Sequence, residues 1–145
     1  MVLDREQQKR EVREAIEAGT ITLGILQEAW RELDSASKFG IADMLGLDFI
    51  GGIGKHIKID SAKKKLAQAQ EQAQRFQSEL ADLGGMLQSC VNIDGAWGFM
   101  DFALDGFLVD FFVQDKISKS KNQVQNCMNA IHSVLEELYK LEQQL

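Results

Sequence analysis

The sequence predicts an all-α fold, a bundle of three long helices with two shorter apolar helices placed before the second and third long ones. Three observations lead to this prediction. Proline is absent while Gln, Glu, Ala, Leu and Lys are abundant, which favours long uninterrupted helices. Three stretches carry apolar residues at alternating spacings of three and four. Residues 39–87 also align with residues 97–145 at a constant offset of 58, without a gap.

The internal repeat divides the chain. Each copy begins with an aromatic residue followed by Gly, keeps an Asp three residues later, and then keeps a Phe and a Lys-Ile pair, so each copy is interpreted as one short apolar segment feeding one long helix. We expect a single helical domain over 1–145, with an N-terminal long helix over 1–37 and repeat units over 39–87 and 97–145. The identical positions are Gly40/Gly98, Asp43/Asp101, Phe49/Phe107, Lys58/Lys116, Ile59/Ile117, Lys63/Lys121, Glu79/Glu137, Leu80/Leu138, Leu83/Leu141 and Leu87/Leu145.

The first long helix is predicted from one apolar seam. A Gly in the middle of this seam, followed closely by two Thr, weakens the helix by about 1 kcal/mol relative to Ala and predicts a kink there. The seam consists of Val12, Ile16, Gly19, Leu23, Leu26, Trp30 and Leu33.

The second and third long helices carry matching seams over four heptads each, which predicts left-handed, coiled-coil-like packing. Cys127 lies in the third seam, so we expect a buried, reduced thiol rather than a disulfide with Cys90. The second seam is Ile59, Ala62, Leu66, Ala69, Ala73, Phe76, Leu80, Leu83 and Leu87. The third is Ile117, Ser120, Val124, Cys127, Ile131, Val134, Leu138, Leu141 and Leu145.

Two apolar segments, Phe39 to Gly54 and Trp97 to Val113, precede the second and third long helices. Both are too short to span a bilayer comfortably, and both contain several Asp residues, which are costly at a bilayer centre. A short helix that is apolar all round is normally buried. We therefore expect both segments to pack across one end of the long helices or to line a dimer interface.

The repeated residues of these segments are the candidate interaction residues, because repetition singles them out and because none belongs to a recognisable catalytic motif. They are Phe39, Gly40, Asp43, Phe49 and Lys58 in the first copy, and Trp97, Gly98, Asp101, Phe107 and Lys116 in the second.

Asp43 and Asp101 allow two interpretations. Pseudo-symmetry that brought the two carboxylates together would raise the pKa of one, which would then serve as an acid. The favoured alternative is structural: each Asp is expected near the start of its short helix, where a carboxylate accepts free amide protons, or in an ion pair.

The basic residues near the starts of the second and third long helices also allow two interpretations. The favoured one is that these lysines pair with Asp43, Asp101 or the acidic first helix. The alternative is that an apolar segment followed by a basic cluster, repeated twice, docks on an acidic partner or an anionic membrane surface. The cluster comprises Lys55, His56, Lys58, Lys63, Lys64, Lys65, Lys116, Lys119 and Lys121.

Several segments resemble a family of bacterial helical proteins rich in coiled coil, which has no established activity. The resemblance covers most of residues 30 to 121 and implies a bacterial helical protein without implying catalytic residues. It is carried by the strings over 39–46, 55–60 and 101–110, and by Val113-Gln114-Asp115-Lys116-Ile117.

The expected function is a non-enzymatic helical scaffold or interaction module that associates with itself or with another helical protein. The alternatives are docking on an anionic membrane surface and, third, an enzyme using Asp43 and Asp101.

A net charge of −6 argues against nucleic-acid binding. No metal site, cofactor or small-molecule substrate is expected: Gly51-Gly52-Ile53-Gly54-Lys55 lacks the full phosphate-loop pattern, and His56 and His132 lack carboxylate-histidine spacing. The N-terminal residues show no secretory signal, so a cytoplasmic location is expected.

Overall fold

The computed structural model describes residues 4–44, 48–84, 86 and 117–145, and it describes side chains within 4–38, 60–84, 86 and 120–145. Within these ranges the chain forms three long helices and no strand, so the all-α prediction is confirmed for them. Helix α1 spans Arg5–Met44, α2 spans Asp48–Leu83 and α3 spans Ile117–Gln144. Their 40, 36 and 28 residues correspond to about 60, 54 and 42 Å.

Helix α1 begins with a capping box. The backbone N–H of Gln7 donates to the Asp4 carboxylate at 2.8 Å, and the backbone N–H of Asp4 donates to Gln7 Oε1 at 3.3 Å. This reciprocal pair satisfies amide groups that would otherwise lack partners in the first turn. The local sequence Asp4-x-x-Gln7 therefore fixes where the helix starts.

Helices α2 and α3 both pack against α1 and both run antiparallel to it. Along α2, Lys65 pairs with Glu28 of α1, while Phe76, further on, lies against Gly19, which comes earlier in α1. Along α3, Lys121 pairs with Asp34 and Glu142 pairs with Arg13. The two helices are therefore parallel to each other.

The core lies where α2 and α3 cover α1. Every member of the second and third seams whose side chain is described is buried except Leu145, which is half-buried. In the first seam Ile16 and Trp30 are half-buried and pack against the core from its edge. A row of small residues that the seam analysis did not include is also buried on α1, namely Ala15, Ala18, Thr22, Ala29 and Ala36.

Gly19 is a close-packing position. Helix α1 continues through it without interruption, and the Thr20 and Thr22 hydroxyls donate to the backbone carbonyls of Ile16 and Ala18. A Cβ atom at Gly19 would lie 2.8 Å from Phe76 Cζ and 2.9 Å from Leu135 Cδ2. The glycine thus lets side chains from both partner helices approach the α1 backbone closely.

Among the described residues of 39–54, the predicted short helix is not a separate element. Its first part continues α1 to Met44, so the N-terminal helix does not end at residue 37, and its last part belongs to α2 from Asp48 onward. Extending a formed helix costs less than nucleating a new one, and no proline interrupts this stretch. The second apolar segment, 97–113, lies outside the described residues.

The described parts of this apolar stretch, 39–44 and 48–54, are therefore the end of α1 and the start of α2 in an antiparallel helical pair, and we call them the hairpin tip. Helix α3 begins at Ile117, one turn before Lys121, so it starts level with about residue 38 of α1. Helix α1 continues six residues further, or about 9 Å, to Met44.

At the end of the bundle opposite the hairpin tip, Glu79 of α2 lies beside Glu11 and Glu14 of α1. The end of α2 and the start of α3 are consequently at opposite ends of the bundle.

Helix α2 stops at a glycine. Gly84 directly follows Leu83 and has a φ angle of +41°, in the left-handed region that closes many helix C-termini. None of the three described helices carries a stretch that is both long and apolar enough to cross a membrane.

Candidate functional site

The structure places half of the sequence-predicted interaction residues at the hairpin tip or just behind it. Phe39, Gly40 and Asp43 lie in the last two turns of α1, and Phe49 and Lys58 lie in the first three turns of α2; their backbone is described and their side chains are not. The antiparallel packing of α1 and α2 brings the two groups to one end of this helical pair. Their repeat partners Trp97, Gly98, Asp101, Phe107 and Lys116 lie outside the described residues.

The capping interpretation of Asp43 is wrong. Position 43 is in the last turn of α1, where free carbonyl groups face the helix end and the helix dipole disfavours negative charge. The residue that begins the next helix is Asp48. The hypothesis that Asp43 and Asp101 share a pocket stays a prediction, because Asp101 lies outside the described residues.

Two lysines of the basic cluster pair with α1, as the structural interpretation predicted. Lys65 Nζ lies 2.7 Å from Glu28 Oε2, and Lys121 Nζ lies 2.8 Å from Asp34 Oδ1. The hydrogen bond and the positive charge of Lys65 lower the pKa of Glu28. The hydrogen bond from Lys121 likewise lowers the pKa of Asp34, against a smaller opposing effect of burial.

Lys121 also contacts an aromatic ring. Its Nζ lies 4.8 Å from the centroid of the Trp30 ring, within the range of a cation–π interaction. Asp34, Lys121 and Trp30 therefore form one cluster at the interface between α1 and α3, in which Asp34 bonds the lysine and the lysine contacts the indole.

A recess of about 300 Å³ opens beside this cluster on the surface between α1 and α3. We call it the α1/α3 recess. Trp30 is half-buried and Met128 is buried, whereas the other four lining residues are exposed. The lining comprises Gln27, Trp30, Arg31, Gln125, Met128 and His132. Sequence reasoning missed it because Trp30 was assigned to the seam and His132 was considered only as a metal ligand.

One acidic cluster joins α1 and α2 near the end opposite the hairpin tip. Carboxylate oxygens of Glu11, Glu14 and Glu79 all lie within 4.8 Å of one another, a spacing that a hard cation could bridge. Glu79 Oε2 is buried without a hydrogen-bond partner. Burial, followed by the nearby charges of Glu14, Asp82 and Glu11, raises the pKa of Glu79, and Arg75 opposes this weakly. Acidic groups at such distances are common on proteins without an ion, so the cluster alone does not define a metal site.

Cys127 is a core residue. Its side chain is buried and forms no disulfide, as the seam predicted. Burial raises the pKa of its thiol to about 12, which keeps the sulfur in the unreactive protonated form. Cys90 lies outside the described residues.

A scan against protein-family models, a search of curated proteins and a search of solved structures each returned no match for this chain.

Proposed function

We propose that this protein is a non-enzymatic helical interaction module that associates with itself through the hairpin tip. The observation that carries the proposal is that α1 and α2 extend past the described start of α3 and end in the most apolar stretch among the described residues. Apolar sequence concentrated at one end of a long bundle favours association through that end, because burying it removes apolar surface from water.

The scarcity of exposed large apolar side chains among the described residues along the sides of the bundle favours an end-on contact over a lateral one. Among the residues with described side chains, the large hydrophobic residues that are exposed are Ile21 and Tyr139, at 37% and 47% of their full surface. They belong to different helices and do not form a continuous apolar stripe along either one. A lateral interface of ordinary size would need a larger apolar centre than these two side chains provide.

The test is the oligomeric state of the full chain, measured by sedimentation equilibrium from about 1 to 100 µM. We expect the wild type to be a dimer or a larger assembly, and the tip variant Phe49→Lys to be monomeric with an unchanged circular dichroism spectrum. Gln68→Lys is the matched control, because it adds the same charge at an exposed position further along α2. A monomeric wild type at every concentration would refute the proposal.

A second candidate function is docking on an anionic membrane surface. The observation that favours it is that α2 continues without a break from the hairpin tip into Lys55, His56 and Lys58. Apolar residues followed by basic ones on a single element are typical of proteins that bind the interface of anionic bilayers.

Co-sedimentation with vesicles distinguishes the two candidates. Membrane docking predicts binding to anionic but not to neutral vesicles, and this binding should weaken at high salt because surface charges are then screened. The Phe49→Lys variant should bind less well, while Gln68→Lys should bind as the wild type does. Absence of binding to anionic vesicles at low salt would eliminate this candidate and leave self-association.

A further inference from the structure

We propose that the α1/α3 recess binds a small aromatic carboxylate. The recess lies beside the Lys121–Trp30 contact, about four turns from the last residue of α1, and it is formed by the described side chains of two helices. The inference rests on the packing of α3 against α1 and goes beyond the proposed self-association through the hairpin tip.

The aromatic part of the ligand is inferred from the inner residues of the recess. Trp30 offers an indole that packs against the core, and Met128 is 6% exposed and offers a polarizable thioether. Indole rings stack with flat aromatic groups, and methionine sulfur makes favourable contacts with aromatic edges. Lys121, itself held by Asp34 at 2.8 Å, contacts the Trp30 ring and restricts its orientation.

The negative charge of the ligand is inferred from the outer residues. The chain has 22 acidic and 16 basic residues, yet the lining of this recess contains Arg31 and His132 and no carboxylate. None of the ion pairs within the described residues includes Arg31; Glu28, whose pKa its charge helps to lower, is bonded to Lys65. A guanidinium without a bonded carboxylate is suited to a two-point hydrogen bond with a carboxylate.

Two side-chain amides complete the donor set. Gln27 and Gln125 lie on opposite helices of the recess, and Gln125 uses its Nε2 to donate to Asn129 Oδ1 at 3.1 Å, which leaves a second N–H of that group. The volume of about 300 Å³ is at the lower end of the range for small-molecule sites, which restricts the ligand to one or two rings.

The experiment is an NMR titration of the full chain with 2-naphthoate, following the Trp30 indole N–H and the side-chain amides of Gln27 and Gln125. We expect saturable shifts at these groups with a Kd of about 1 mM, the scale for a ligand of this size in an open site. Arg31→Gln should weaken binding at least about 10-fold, since it removes a charge-assisted hydrogen bond.

The matched control variant is Arg13→Gln. Arg13 lies on the same face of α1 as Arg31, five turns away, and it pairs with Glu142 outside the recess. It should bind 2-naphthoate as the wild type does. Two further ligands separate the contributions: uncharged 2-naphthamide and non-aromatic cyclohexanecarboxylate should each bind at least about 10-fold more weakly.

Three results would overturn the proposal: shifts that do not saturate, 2-naphthamide binding as tightly as 2-naphthoate, or an Arg31→Gln variant that binds as the wild type does. Circular dichroism of each variant confirms that the fold is retained. Sedimentation of the same samples reports self-association separately, so failure of the ligand site and failure of the proposed function give different results.

Discussion

At the scale of single residues, the two glycines in the middle of α1 have opposite surroundings. A Cβ atom at Gly19 would meet Phe76 and Leu135 within 3 Å, whereas a Cβ atom at Gly24 would meet nothing within 4 Å. Both positions lie inside one helix. The pair therefore separates the cost of crowding from the intrinsic helix propensity of glycine.

We expect Gly19→Ala to lower the free energy of unfolding by about 1–2 kcal/mol, because overpacking a buried site outweighs the gain in helix propensity. Gly24→Ala should raise the free energy of unfolding by about 0.5–1 kcal/mol, because alanine lowers the conformational entropy of the unfolded chain and creates no clash in the folded one. Urea denaturation followed by circular dichroism measures both. Equal effects of the two substitutions would contradict the close packing at Gly19.

Glu79 should lower stability at neutral pH, because its raised pKa means that the folded state disfavours its charged form. This unfavourable contribution is present when the pH exceeds the pKa of Glu79 in the folded state. It disappears as the pH falls through that pKa toward the lower pKa of Glu79 in the unfolded chain. We therefore expect Glu79→Gln to raise the free energy of unfolding at pH 7, with a gain that shrinks as the solution is acidified.

Glu71→Gln is the control for Glu79→Gln. Glu71 is exposed on the same helix, so removing its charge should change the free energy of unfolding by less than about 0.5 kcal/mol. Urea denaturation of both variants between pH 4 and 8 tests the prediction. A Glu79→Gln variant that is less stable than the wild type at pH 7 would show that the carboxylate is favourable, as a bound cation would make it.

At the scale of elements, the apolar periodicity predicted which faces of α2 and α3 are buried, because large residues recur there every three or four positions. On α1 it missed Ala15, Ala18, Ala29 and Ala36, since alanine is common on exposed helix faces as well. Their burial follows from α1 contacting two helices, which requires a wider apolar face than one seam. The spacing of large apolar residues does not show which side chains of α1 form this wider face.

The helix boundaries and the recess were less predictable. Phe39-Gly40 was predicted to start a new unit because it begins the first copy of the predicted repeat, yet the helix continues through it to Met44. The recess depends on Arg31 and His132, which are 101 positions apart in the chain and meet because α3 packs against α1. No local pattern encodes such a pairing. The Asp4-x-x-Gln7 cap, by contrast, follows a local capping-box pattern that the sequence analysis did not use.

The end of α2 gives a prediction about one element. Gly84 has positive φ and open space around its Cα, so a side chain there would strain the backbone without clashing. We expect Gly84→Ala to lower the free energy of unfolding by about 1 kcal/mol and Gly84→Asn to lower it by less, because Asn tolerates this conformation better. Thermal unfolding compares the two. An alanine variant as stable as the wild type would argue against this helix end.

At the scale of the whole molecule, Cys127 should report global unfolding. Its thiol is buried in the core shared by the helices, and with a pKa of about 12 only about one molecule in 10⁴ carries the thiolate at pH 8. In a Cys90→Ser background, we expect labelling by a thiol reagent to be slow in buffer and to accelerate with urea in parallel with unfolding.

The control for this labelling is the same protein in denaturing urea, where Cys127 should react within seconds to minutes. Gly19→Ala should label faster than Gly24→Ala in buffer, because it lowers the free energy of global opening. Rapid labelling of the folded wild type would show that the core around Cys127 opens locally without global unfolding.

The parallel arrangement of α2 and α3 has a consequence for synthesis on the ribosome. Glu28 and Lys65 can pair once the first two helices have emerged, whereas Asp34 can pair with Lys121 only after the chain has reached a residue 87 positions later. We therefore expect a nascent chain that holds a formed α1–α2 hairpin while the α3-binding face of α1 is still bare. During that interval the α3-binding face of α1 can bind another apolar helix, including the α3 of a neighbouring nascent chain. Two chains that exchange α3 in this way would form a domain-swapped dimer, and polysomes, where nascent chains are close together, are where such dimers would first arise.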